Sequence, residues 1–324
     1  MKLAELGEFG LIDRIAHRVA PSPSVPLGIG DDAAALLPTP GALTLITSDM
    51  LLEGVHFDLA FCDPQSLGRK SLAVNLSDLA AMGAHPRQFL LGIALPAEIS
   101  LEFIDGFMAG IMEQAERFGV TLVGGDTCAS RGGVAISITA LGEQRPERVV
   151  KRSGASAGDL IYLSGTVGDA AAGLGELRRG VRHGFLVARQ LDPQPRVAAG
   201  VALAEAALAS AMIDVSDGVL ADLGHICELS GVGARVELAR LPLSDQYRAD
   251  CGADPFALAL SGGEDYELLF CTPRGKGVQV EALFDSLGLR VSRIGEITKG
   301  EGVELITPDG GVYAPALRGF DHFG

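Results

Sequence analysis

Near the start of the chain, Gly28-Ile29-Gly30-Asp31-Asp32-Ala33-Ala34 sets two adjacent carboxylates behind a glycine pair that lets the backbone turn tightly. The device recurs: Thr47-Ser48-Asp49, Asn75-Leu76-Ser77-Asp78, Gly124-Gly125-Asp126-Thr127 and Asp214-Val215-Ser216-Asp217-Gly218 each follow an apolar run. One Gly-Asp turn is ordinary loop chemistry. Five oxygen-rich turns at the ends of apolar segments predict oxygen ligands assembled around more than one divalent ion. The pattern is that of a metal-dependent enzyme acting on phosphates.

A chain of 324 residues exceeds the usual size of one core, so two domains are expected. The formal charge of -15 argues against a nucleic-acid partner, which would call for excess Lys and Arg. It would also repel phosphates, unless bound Mg²⁺ turns the carboxylate clusters into positive sites. The five cysteines are scattered, with no C-x-x-C, which suits reduced thiols in the cytoplasm rather than a disulfide frame or a zinc site. The N-terminus carries Glu5 and Glu8 and lacks the apolar stretch of a signal peptide. No segment approaches the roughly 20 apolar residues that cross a bilayer, so no membrane partner is expected.

Apolar residues at helical spacing predict a helix over 3–20, ended by Pro21, Pro23 and Pro26. Leu43 to Thr47 reads as a strand delivering Ser48 and Asp49 to its C-terminal end. A helix follows over 64–82, closed by Gly83; Asn75, Ser77 and Asp78 are poor helix formers inside it. Arg69 and Lys70 on that helix read equally well as a solvated face. Phe89 to Leu95 is a strand, Ser100 the N-cap of a helix stopped by Gly119, and Val120 to Val123 a short strand ending at Gly124-Gly125-Asp126. Val134 to Leu141 is another strand, and the polar stretch 142–151 is the domain boundary. Beyond it strands are expected at 160–163, 211–213, 235–238, 266–270, 291–297 and 303–307. Helices are expected after Asp169, over 198–209, up to Ser230 and over 279–287. Both halves thus mix strands and helices.

The absence of other motifs narrows the chemistry. There is no Gly-x-x-x-x-Gly-Lys-Ser/Thr phosphate loop, no Gly-x-Ser-x-Gly elbow and no His-Glu-x-x-His helix. Aspartates outnumber histidines and thiolates at each turn, which selects Mg²⁺. Phosphoryl transfer needs no protein nucleophile, only alignment and charge neutralisation. Plain alternatives remain open: Ser216 or Asp217 as a helix N-cap, and His56 as a half-buried structural histidine.

Gly28-Ile29-Gly30-Asp31-Asp32-Ala33, Ser48-Asp49 with Glu53-Gly54-Val55-His56-Phe57, Asn75-Leu76-Ser77-Asp78-Leu79-Ala80-Ala81-Met82-Gly83-Ala84, Gly124-Gly125-Asp126-Thr127, Asp214-Val215-Ser216-Asp217-Gly218 and Ser261-Gly262-Gly263-Glu264-Asp265-Tyr266-Glu267-Leu268 stand in the order of one known family. Over nearly its whole length the sequence resembles the thiamine-monophosphate kinases. These belong to a superfamily with aminoimidazole ribonucleotide synthetase and selenophosphate synthetase. The resemblance implies a two-domain α+β/α/β architecture of the synthetase-like superfamily. An N-terminal domain (1–142) would bind metal and ATP and form a β-barrel across a homodimer; an α/β sandwich (143–324) would follow. It implies ATP-dependent, direct in-line phosphorylation of thiamine monophosphate to thiamine diphosphate, the last step of that biosynthesis, without a covalent nucleophile. Asp32, Thr47, Ser48, Asp49, Asp78, Asp126, Asp214 and Asp217 match metal-binding positions, implying several Mg ions. Gly125, Asp126, Arg152 and Ser216 match ATP contacts, and a guanidinium fork at Arg152 suits phosphate. His56 and Glu264 match substrate positions. Some relatives carry Trp where this chain has Leu317, so Phe320 is assigned the ring that faces the cationic thiazolium. Other readings are a superfamily synthetase, or a nucleotide-sensing module without activity.

Overall fold

The computed structural model describes residues 3–317 and 319, with backbone alone at positions 3, 4, 8 and 9. Two compact units emerge. The first takes the residues up to Leu79 together with Ala84–Pro146; the second takes Ala80–Gly83 and the residues from Glu147 onward.

In the first unit, helix α1 (Leu3–Ala16) is broken at Gly7, where φ is 73°. It ends short of residue 20. Bonds from Arg18 N to Ile15 O (3.0 Å) and from Val19 N to Ala16 O (3.1 Å) tighten its last turn, and Pro21 forbids continuation. Four strands lie in the order β1 (Leu43–Leu52), β4 (Ala135–Gln144), β2 (His85–Pro96) and β3 (Thr121–Ser130). β2 and β3 are parallel and the other pairs antiparallel. The sheet is open, with β1 and β3 as its edges, and among the described residues no strand closes it into a barrel.

Two strands outrun their sequence patterns. β1 pairs with β4 from Leu43 opposite Gln144 to Leu52 opposite Ala135, so Ser48 and Asp49 sit inside the strand and not at its end. β3 continues through Gly124-Gly125-Asp126 to Ser130 along β2, with Val123 as an extra residue at a register shift. In both cases the ladder of the neighbouring strand holds a polar stretch extended.

Helix α2 (Pro64–Ala81) is buried on nearly all sides. Its hydroxyl and amide groups bond back along the helix: Ser71 Oγ to Leu67 O at 2.7 Å and Asn75 Nδ2 to Ser71 O at 3.2 Å. Lys70 is 1% exposed, and Arg69 reaches Glu113 (3.2 Å) and Ser66 (3.1 Å), so the pair is not a solvated face. Helix α3 (Leu101–Phe118) has the expected caps: Ser100 Oγ accepts from Phe103 N at 3.2 Å, and Gly119 turns left-handed. α2 and α3 cross with backbones in contact, because a Cβ on Gly68 would overlap the Phe107 carbonyl and one on Gly110 the Gln65 carbonyl.

The second unit holds a six-stranded sheet in the order β10 (Val303–Ile306), β7 (Gly233–Glu237), β9 (Val291–Thr298), β5 (Leu160–Ser164), β8 (Leu268–Thr272) and β6 (Ala211–Asp214). Only β10 and β7 run parallel. Alternate residues enter opposite layers. Ile161, Leu163, Leu269 and Cys271 pack with α4 (Asp169–Arg178) and α7 (Val219–Ser230). Leu160, Tyr162, Leu268 and Phe270 pack with α6 (Val197–Glu205) and α10 (Gly277–Ser286). With helices on both faces, the strands read as unbroken apolar runs. Three short helices have no counterpart in the sequence pattern: α5 (Phe185–Leu191), α8 (Asp245–Asp250) and α9 (Ala257–Ser261). At one or two turns each, they are too short to show a helical period.

Candidate active site

In the first unit two periodicities meet. Thr47 and Asp49 are two apart on β1 and share its inner face; Asn75 and Asp78 are three apart on α2 and share one side of it. Thr47 Oγ1 donates to Asp78 Oδ2, and Asp49 N donates to Asn75 Oδ1 at 3.1 Å. Burial, and after it the charge of Asp78, pushes the Asp49 carboxyl up to about 6.

Alternation sends other candidates to the opposite face. The Ser48 side chain points away from Asp49 and bonds Thr139 Oγ1 at 3.0 Å. Asp126 stands in a cross-strand row with Gly92, Ser137 and Met50, on the face that carries Ser48 rather than Asp49. Gly125 lies against β2 so closely that a Cβ would overlap the Leu91 carbonyl, which explains the glycine. Asp32 is exposed on a loop closed by Ala35 N to Leu27 O at 2.8 Å. His56 is half-buried; its Nδ1 accepts from Leu52 N at 3.0 Å, so the neutral ring carries its proton on Nε2.

In the second unit, β6 ends on Asp214, 2% exposed. The following loop is stitched to the segment 264–267 by three backbone bonds: Glu264 N to Ser216 O (2.9 Å), Tyr266 N to Val215 O (2.9 Å) and Val215 N to Glu267 O (2.8 Å). The approach needs glycine at 263, where a Cβ would overlap the Ser216 carbonyl. Ser216 and Asp217 do not cap α7; Gly218 occupies that position. The capping carboxylate belongs to Asp222, whose Oδ2 accepts from Gly218 N (3.1 Å) and Asp217 N (3.3 Å). Burial, followed by the charges of Asp214 and Asp217, pushes Asp222 up to about 8. Sequence reasoning passed over this residue, although an aspartate in the first turn after Ser-Asp-Gly was the available cue.

The segment 264–267 is itself pinned. Glu264 and Tyr266 hold φ values of 68° and 50°, rare for side-chain-bearing residues. Asp265 accepts from Gly168 N (2.6 Å) and Ala170 N (3.1 Å) at the start of α4. Glu267, fully buried, accepts from Ser164 Oγ (2.6 Å), Arg196 Nε (2.6 Å) and Arg189 Nη2 (2.9 Å). Burial alone would raise its carboxyl; Arg196 and Arg189 outweigh burial and hold it below the ordinary range. Arg152 is exposed, Leu317 is 67% exposed, and Phe320 lies outside the described residues.

Among the described residues no three Asp, Glu, His or Cys side chains form a metal cage. The donor sets still fit Mg²⁺, which is commonly bound by one or two carboxylates, waters and substrate phosphates. Asp49 beside Asp78, and Asp222 beside Asp214 and Asp217, are like charges brought together, and a cation relieves their repulsion. The Asp222 shift has a measurable consequence. Its folded value lies above the ordinary 3.8, so the stability it supports is complete below that value and is lost as pH rises to about 8. Melting without divalent ions should therefore fall from pH 5 to pH 8 more steeply for the native chain than for Asp222→Asn. Parallel curves would dismiss the shift.

Two matches with known domains define the class. Residues 30–144 match the AIR synthase related protein N-terminal domain, and residues 156–307 match the AIR synthase related protein C-terminal domain. The chain is 41% identical to thiamine-monophosphate kinase of Salmonella typhimurium across 98% of both chains. It superposes on the crystal structure of thiamine-monophosphate kinase from Stenotrophomonas maltophilia with a TM-score of 0.85 and 41% identity, covering 97% of this chain and 99% of that one. A structure of AaThiL complexed with AMPPCP and TMP gives a TM-score of 0.78 at 34% identity, covering 100% and 99%. The chain belongs to the thiamine-monophosphate kinase family.

Proposed function

We propose that the protein transfers the γ-phosphoryl group of ATP directly to thiamine monophosphate, forming thiamine diphosphate as the last step of that biosynthesis. The main support is full-length similarity to AaThiL, solved with AMPPCP and TMP, together with the paired carboxylates that this chain carries at Asp49 and Asp78. Asp32, Thr47, Ser48, Asp49, Asp78, Asp126, Asp214 and Asp217 are assigned to metal, with Ser48 and Asp126 on the sheet face opposite to that of Thr47 and Asp49. Several Mg ions, when bound, would supply the positive charge that phosphoryl oxygens need. Gly125, Asp126, Arg152 and Ser216 are assigned to ATP; His56, Glu264 and Phe320 are assigned to thiamine monophosphate. On this reading Arg152 offers a guanidinium fork to phosphate, and the Glu264 carboxylate suits a cationic thiazolium.

We also assign a homodimer whose N-terminal domains (1–142) form a β-barrel across the pair, each followed by an α/β sandwich (143–324). The edge strand β1 supports this, since its outer face leaves Ile46 at 66% and Met50 at 60% exposure. The cytoplasm is the assigned compartment; all five cysteines are free thiols, and no described helix is long and apolar enough to cross a membrane. ADP release from ATP and Mg²⁺ should depend on added thiamine monophosphate and yield thiamine diphosphate. ADP release indifferent to thiamine monophosphate would refute the reading, and a sedimentation mass near 33.6 kDa would refute the dimer.

A further inference from the structure

Outside every motif of the sequence lies Gln190, on the short helix α5, 4% exposed. Its Nε2 donates to Glu264 Oε2 at 2.5 Å. Its neighbour Arg189 turns elsewhere, to Glu267 Oε1 (2.9 Å) and to the backbone carbonyls of Thr166 and Asp265 (both 3.3 Å). One short helix therefore supplies two donors to one loop and divides them by charge. The guanidinium goes to the buried Glu267, and the neutral amide goes to the half-buried Glu264.

We propose that Gln190 is a positioning residue for the substrate: it fixes the Glu264 carboxylate without cancelling its charge, and so sets affinity for a cationic heterocycle. The inference rests on the assignment of Glu264 to thiamine monophosphate. Glu264 sits at a φ of 68° and is tied by its N–H to Ser216 O, so its backbone is fixed and side-chain contacts set the χ rotation of its carboxylate. An amide donor on Oε2 restricts that rotation. A lysine or arginine there would orient the group equally well and neutralise it, and the attraction to a cation would be lost. The amide engages Oε2, and the carboxylate keeps acceptor capacity for a ligand.

Steady-state kinetics on three variants test this. Gln190→Leu keeps the volume and removes the donor; KM for thiamine monophosphate should rise about tenfold, while kcat and KM for ATP stay within about twofold. Gln190→Lys restores a donor but brings a positive charge, and should give the same rise in KM without rescue. Glu264→Gln should raise that KM by at least as much. A normal KM for thiamine monophosphate in Gln190→Leu, with a raised one in Glu264→Gln, overturns the role of Gln190 alone. A normal KM in Glu264→Gln overturns the assignment of Glu264 and the inference with it. A Gln190→Leu enzyme that loses kcat and ATP affinity together with thermal stability marks a structural residue, and it too overturns the proposal.

Discussion

Asp78→Asn is expected to fold normally and to lose turnover by roughly 10²–10³-fold, the range for removing one preorganised electrostatic contact from a reacting charge. Asparagine keeps an oxygen to accept the Thr47 hydroxyl, so the junction between β1 and α2 survives. What disappears is one negative charge beside Asp49. Part of the force that raises the Asp49 carboxyl goes with it, and that group should then ionise closer to the ordinary range. The variant should melt at or above the native temperature without metal, because a like-charge repulsion has been relieved. It should also gain less stability on addition of Mg²⁺, since the ligand-induced gain follows affinity. Paired melting curves with and without Mg²⁺, alongside ADP release, read both effects. Normal turnover with an undiminished Mg²⁺ response would remove Asp78 from the metal site.

How much of this arrangement the sequence discloses depends on the range over which each feature is encoded. Caps and breakers are local, so Ser100 and Gly119 were readable as punctuation, and the helix between them followed. Of the five acidic stretches read as turns, only 28–34 and 215–218 lie in loops; the other three lie inside β1, α2 and β3. Facing was not readable. Once β1 runs on past Thr47, the strand period of two separates Ser48 from Asp49, and the extra residue Val123 sets which side of the sheet Asp126 takes. Pairing with β4 and β2 decides both, and those partners lie far away in sequence. Likewise α5 is held by tertiary contacts rather than by its own seven residues, so Arg189 and Gln190 gave no local cue to their roles. The Ser261 to Leu268 motif was recognised as a block. The structure separates its parts: Glu264 toward Gln190, Asp265 capping α4, and Glu267 bound by two arginines.

That last group should give the largest loss of stability in the chain. Glu267 is fully buried, while the side chains of Arg189 and Arg196 are 11% and 18% exposed. Neither guanidinium can reach water freely. In Glu267→Ala Arg196 would lose its counterion, Arg189 would be left with Asp169 at 3.7 Å, and Ser164 would lose its acceptor. Breaking one partner out of a buried ion pair costs about 3–5 kcal/mol, and here Arg196 is left without its counterion and Arg189 with only its longer contact to Asp169. For a unit of this size that corresponds to a fall in melting temperature of roughly 10 °C. Arg196→Met should cost less, because Glu267 keeps Arg189 and Ser164 and the methionine fills apolar volume. The damage should also reach the chemistry. Glu267 O receives the Val215 N–H, and the Asp214 to Gly218 loop loses an anchor when the segment 264–267 loosens. Glu267→Ala should therefore exchange the Val215 amide faster than the native chain at temperatures well below its melting point. A Glu267→Ala protein melting within about 2 °C of the native chain would show that the arginines find other partners, and the three-residue clamp would not be what holds this loop.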